Sequence, residues 1–171
     1  NNCEVMVAEL QTTAFAGIQG LGGKAEDDWL LVPRKMGHKI KDPAHADFFK
    51  HSTQFKRKYE RPDQIHSDLD VQYPGFGCMQ WYSLYNDRES IYVGNHDKEH
   101  RIICHHIERR VCDNTLRLGV IQYPFLEKGE KYTIPTMVYA LFDGDWHEGA
   151  KLYGKWMRED YGWTAPEKPQ W

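Results

Sequence analysis

The densest group of metal-seeking side chains in this chain is Cys104, His105, His106 and Cys112, with His96 and His100 just ahead of it. Thiolates and imidazoles close together are what zinc prefers. The spacing offers no CxxC pair, however, and lacks the paired-ligand pattern of a structural zinc module. Neighbouring residues on a strand point to opposite faces, so His105 and His106 would diverge if this segment is extended. They read as ordinary strand and loop positions, with no metal and no cofactor expected.

Carboxylates form the second chemical group. Asp27-Asp28, Asp68/Asp70 and Asp143/Asp145 invite comparison with the paired acids of glycosidases. Such acids must sit roughly 5–9 Å apart across a sugar-binding cleft, which closeness in sequence does not establish. Asp27-Asp28 reads as a turn and Asp145 as a helix cap, so no catalytic residue is assigned. The glycine-rich Gly17–Gly23 segment lacks the Gly-Lys-Ser/Thr of a P-loop and the GxGxxG pattern leading into a helix. GxSxG, HExxH and EF-hand patterns are also missing from the sequence.

Aromatic residues make the more pointed suggestion. They are 13% of the chain and include six tryptophans and ten tyrosines. Indole rings stack on the C–H faces of sugars, while carboxylates and amides take the hydroxyls. The loop after the glycine-rich run, with Asp28 and Trp29, is the expected carbohydrate contact, with Trp81 second. Gly22 and Gly23 would let backbone N–H groups approach a ligand closely. The competing reading makes Trp29 and Trp81 core residues and Asp28 a turn residue.

Composition bounds the rest. At 171 residues and a net charge of −3, the chain is long enough for one well-cored domain. No basic stripe points to nucleic acid, and no apolar run approaches the ~20 residues that span a bilayer, so neither partner is expected. The opening NNCEVMVAEL has neither an initiator Met nor a signal-peptide pattern, and is read as a cut end that leaves localisation open.

The elements that would position these residues are mostly strands. Short ones are expected over Val5 to Ala8 and Ala14 to Ile18. Trp81 to Tyr85 and Ser90 to His96 flank the turn pair Asn86-Asp87, and Ile102 to Val111 and Thr115 to Tyr123 flank Asp113-Asn114. Tyr132 to Leu141 follows, with Pro135 favouring an edge or a bulge. Residues from about 43 to 74 read as a long polar excursion, with a helical turn over Ala44 to Phe49 and the basic cluster Lys56-Arg57-Lys58 on a solvated face.

The last stretch, 142–171, predicts an amphipathic helix. Asp145 is its N-cap, with Glu148 placed to complete a capping box. Trp146, Ala150, Tyr153, Trp156 and Met157 share one face, Lys151, Lys155, Arg158 and Glu159 the other, and Gly162 is a stop. The expected organisation is a β-sandwich over 1–141 followed by this helix and a linker. Strands joined by short turns predict a mainly β, antiparallel β-sandwich with one C-terminal α-helix.

Three segments, in order, resemble the N-terminal β-sandwich of large bacterial glycoside hydrolases whose (β/α)8 catalytic barrel follows it. The first is Glu26 to Pro33, continuing to Gly37 and Asp42-Pro43. The second is Tyr73-Pro74-Gly75 with Met79-Gln80-Trp81-Tyr82 and Ile91 to Asp97. The third is Pro135 through Gly144-Asp145-Trp146, with Ala150, Tyr153 and Trp156. This resemblance implies a supersandwich similar to galactose-mutarotase-like domains, cut short at its first strands. It also implies catalytic carboxylates on a barrel outside this chain, a barrel of the same polypeptide as partner, and a carbohydrate ligand bound weakly here. The alternative is a free-standing carbohydrate-binding or adhesion-type sandwich.

Overall fold

The computed structural model describes residues 1–48 and 66–167. Among them nine strands form two antiparallel sheets. They are β1 (Leu10–Ile18), β2 (Trp29–Val32), β3 (His38–Lys41), β4 (His66–Tyr73), β5 (Trp81–Tyr85), β6 (Glu89–His96), β7 (Ile103–Arg110), β8 (Thr115–Gln122) and β9 (Thr136–Asp143). One sheet has the order β1-β8-β7-β4 and the other β3-β2-β5-β6-β9. A single α-helix, α1 (Trp146–Glu159), follows. The protein is a mainly β, antiparallel sandwich with one C-terminal helix, as the strand patterning predicts.

Period-two alternation explains the packing. Leu30 and Val32 from β2, Tyr82 and Leu84 from β5, and Ile91 and Val93 from β6 face Leu69 and Val71, Ile103 and Ile107, and Leu116, Leu118 and Val120 of the opposing sheet. Phe48, fully buried, joins this core from the loop after β3. Both expected hairpins form: Tyr85 pairs with Ser90 across the Asn86 turn, and Arg110 with Thr115 across a turn in which Asn114 takes a positive φ of 53°.

Helix α1 lies on the outer face of the five-stranded sheet. Trp81 and Tyr92 project outward there and stack with ring centroids 5.3 Å apart, beneath Tyr153 and Trp156. Gly149 lets the helix approach closely. A Cβ added to it would lie 2.9 Å from Tyr92 Cδ2 and 3.1 Å from Trp81 Cζ3. The Asp145 carboxylate caps the helix by accepting from the His147 N–H at 2.9 Å. The capping box is not made, because the Glu148 carboxylate takes Lys151 Nζ instead, at 2.5 Å. Gly162, at φ 83°, turns the chain so that the Trp163 N–H reaches the Met157 carbonyl.

Four sequence expectations need correcting. The strand expected over Ala14 to Ile18 begins earlier, at Leu10, while the one expected over Val5 to Ala8 reduces to a single bridge between Val7 and Leu126. The polar excursion ends sooner than position 74, because His66–Tyr73 is a strand. Leu69, Val71 and Tyr73 point into the core while Asp68, Asp70 and Gln72 point out, so its high polarity masks a regular alternation. The strand expected from Tyr132 starts at Thr136, after Pro135, and forms a sheet edge. At the start of the excursion, Pro43 to His45 is a turn, with the His45 N–H on the Asp42 carbonyl. The basic cluster at 56–58 lies outside the described residues.

Candidate functional site

The glycine-rich loop and the β5–β6 turn meet at one end of the five-stranded sheet and enclose a cleft of about 600 Å³. Gly22, Gly23, Lys24 and Asp27 line one wall, Trp29 and Lys41 the floor side, and Asp87, Arg88 and Glu89 the other wall. Trp29 begins β2, and Lys41, directly opposite it on β3, holds its ammonium 5.7 Å from an indole ring centroid. The lining is mostly polar, with Leu21 and that ring as its apolar parts. Acids and bases of both signs stand around it, which suits a neutral, hydroxyl-rich ligand better than a strongly charged one.

What fixes the two walls is a buried pair, Asp28 and Asn86. Asp28 is 2% exposed, and its Oδ2 accepts the Leu21 N–H at 2.8 Å. Asn86 Nδ2 donates both to Asp28 Oδ1, at 3.1 Å, and to the Leu21 carbonyl, at 3.0 Å. The Asn86 Oδ1 in turn accepts the Arg88 and Glu89 N–H groups. With all its polar atoms engaged, Asn86 ties the glycine loop to the hairpin turn. Burial pushes the Asp28 carboxyl up, against the opposing pull of the Leu21 and Asn86 hydrogen bonds.

The structure thus brings together two of the three residues singled out for sugar contact and separates the third. Trp29 is half-buried on the floor side of the cleft. Asp28 lies directly beneath, its carboxylate spent on the protein's own donors, so its influence on a ligand passes through the loop it holds. Trp81 is elsewhere, 2% exposed under α1, and offers no ring face to solvent. Its place on the outward side of β5 was legible from the alternation, but the helix that covers it there comes from 65 residues later, by the difference between Trp81 and Trp146. The residues missed in sequence were Asn86 and Glu89. An Asn opening a tight turn was read as turn chemistry, which it is, but it also bridges to Asp28.

His105 and His106 diverge as expected. His105 is fully buried between the sheets against Tyr82, and its Nε2 lies 3.0 Å from the Met79 carbonyl. Burial holds its pKa down at about 4. His106 faces outward, toward Asp70 and Glu108. Cys104 is buried beside it on the same strand face and interacts with Asp70, whereas Cys112 is exposed in the following turn, apart from the imidazoles.

A second polar network closes the opposite end of the sandwich. Gln80, fully buried, accepts from Asn95 Nδ2 and the Asp97 N–H and donates to the Asp97 carbonyl. Arg101 clasps the Asp97 carboxylate through Nε and Nη2, at 2.9 and 3.0 Å. Burial acts to raise the Asp97 pKa, but the Arg101 bonds outweigh it and hold the carboxyl below its ordinary value. Every strong acceptor here is taken by the protein itself, which makes this a bracing network rather than a binding site.

Against known proteins, the chain matches no family model, no curated protein and no solved structure.

Proposed function

We propose that this chain is an accessory β-sandwich domain of a carbohydrate-active glycoside hydrolase, supporting a catalytic barrel and lending a loop to its sugar pocket. The observation that carries the reading is the cleft in which Trp29 stands beside the backbone of Gly22 and Gly23 and the side chains of Asp27, Asp87 and Glu89. One aromatic ring amid convergent hydrogen-bonding groups is what a pyranose needs. The ring gives it an apolar face to stack on, and the carboxylates accept its hydroxyls.

In this reading Asp28 and Asn86 are positioning residues that hold the glycine loop at its distance from Trp29. Lys41 must swing off the indole, or the sugar must use the other ring face. The resemblance to sandwich domains of barrel-bearing hydrolases supports the parent reaction, hydrolysis of a glycosidic bond by two carboxylates outside this chain. It also supports the finer galactose-mutarotase-like assignment of the sandwich.

The test is an NMR titration with mono- and oligosaccharides. Shifts should gather at the amides of Gly22, Gly23 and Asp87 and at the Trp29 indole, with millimolar affinity. Trp29→Ala should abolish them while leaving the rest of the spectrum in place. Shifts that persist in Trp29→Ala, or that gather elsewhere, would remove the cleft from the proposal. Repeating the titration on the polypeptide extended past Trp171 separates the two roles. An accessory domain gains affinity there, whereas a free-standing binding module does not.

A further inference from the structure

The outward face of the four-stranded sheet carries a second, unrelated constellation. Asp68 on β4 stands directly opposite Glu108 on β7, and Asp70 directly opposite His106. Because strand side chains alternate, 68, 70, 106 and 108 all lie on one face. Like charges placed directly opposite on an antiparallel pair repel. Here they flank an imidazole.

The imidazole is oriented. His106 Nδ1 lies 2.7 Å from Asp70 Oδ1, which makes Nδ1 the donor and points Nε2 toward the other two carboxylates. His106 is buried, at 9% exposed, and its Nε2 faces Glu108 Oε2 at 3.9 Å, an ion pair while the ring is protonated. A carboxylate that fixes one ring nitrogen while the other faces acidic oxygens is the arrangement found around metal-bound histidines. One ligand atom each from Asp68, His106 and Glu108 lies within 4.8 Å of the other two. Ligands on a tetrahedral zinc with bonds of ~2.0–2.2 Å are about 3.4 Å apart, so small side-chain rotations would close the set.

We propose that Asp68, His106 and Glu108 bind a divalent first-row transition ion, with zinc the best fit, and that Asp70 positions the histidine. One imidazole and two carboxylates favour zinc over calcium or magnesium, which prefer all-oxygen shells. Three protein ligands leave a coordination position for water. The ion would cross-link β4, a sheet edge, to β7 and take over the charge balance that His106 and the Arg117 guanidinium, 3.6 Å from Glu108, supply to the Asp68–Glu108 pair in its absence. Binding displaces the proton on His106 Nε2.

The test is calorimetric titration of zinc chloride into chelator-stripped protein, alongside thermal melts with and without zinc. The thiols of Cys3, Cys78 and Cys112 are exposed and would take zinc on their own, so the titration uses the C3S/C78S/C112S background. One equivalent should bind, raise the melting temperature, and shift the His106 Nε2 resonance while Nδ1 stays protonated. Asp68→Asn/Glu108→Gln should lose binding at least 100-fold, and zinc should no longer raise its melting temperature. The native His106 resonance gives the same answer should that variant fail to fold. Absence of one-to-one binding, an unmoved Nε2 signal, or undiminished affinity in the double variant would each overturn the site.

Discussion

Asp28→Asn tests how the cleft is built. The native carboxylate accepts from two buried donors, the Leu21 N–H at 2.8 Å and Asn86 Nδ2 at 3.1 Å. An Asn side chain has one acceptor oxygen and one amide that can only donate. Asn86 cannot flip to compensate, because its own oxygen already serves the Arg88 and Glu89 N–H groups. One donor is therefore left without a partner, at about 1–3 kcal/mol. Removing a desolvated charge returns part of this, since burial already pushes the Asp28 carboxyl up. The expected net loss is about 1–2 kcal/mol for Asp28→Asn and roughly 2–4 kcal/mol for Asp28→Ala, which strands both donors.

Urea unfolding of the three proteins measures these differences, and amide exchange at Leu21 reports whether the loop has loosened. The sign of the pH response is also fixed. A carboxyl with a raised folded pKa stabilises fully below its unfolded value of 3.8 and loses that contribution as pH rises through the folded pKa. Asp28→Asn should remove that component. If Asp28→Asn lies within about 0.5 kcal/mol of native and Leu21 exchanges no faster, the carboxylate does not hold the loop and the reasoning fails.

His96, stacked on Trp156 with centroids 4.6 Å apart, is held near pKa 4 by burial, so its contribution is present above its unfolded 6.5 and lost as pH falls from 6.5 toward 4; His96→Gln should flatten the acid limb of stability followed by tryptophan fluorescence. Gly149→Ala should destabilise despite the better helix former, because its Cβ meets Tyr92 and Trp81; a higher melting temperature would show that the helix can lift without cost. Trp156→Ala should cost about 3–5 kcal/mol in urea unfolding by emptying the centre of the helix–sheet core. Purified chain should turn over none of a panel of aryl glycosides; turnover abolished by Asp27→Asn would place catalysis in the cleft.

Sequence reasoning reached the local features and missed the meetings between distant ones. The two hairpins, the Asp145 cap and the aromatic face of α1 rest on signals within a few residues, and all are present. Strand β4 was missed because a strand with Asp68, Asp70 and Gln72 on its outer side looks like loop by composition, even though its inner side alternates correctly. Trp81 could not be placed by its own neighbourhood, since what buries it is a helix made much later. The Asp28–Asn86 bridge and the Asp68–Glu108 pair are likewise set by register between segments far apart in sequence. His-x-Glu at 106–108 and Asp-x-Asp at 68–70 each signalled a shared strand face, but nothing local said that the two would pair.

The placement of α1 has a consequence for how the chain assembles. The sandwich itself waits on remote partners: β1 pairs with β8, with Leu10 opposite Gln122, so a large loop must close before that sheet is complete. The helix cannot dock until β5, β6 and β9 have paired, because its floor is made of Trp81 and Tyr92 side by side. During synthesis, the aromatic outer face of a nearly finished sheet is therefore uncovered until the last described element arrives. A newborn chain passes through an interval in which its stickiest surface is on the outside, and any delay between residues 143 and 159 lengthens the window for aggregation or chaperone capture.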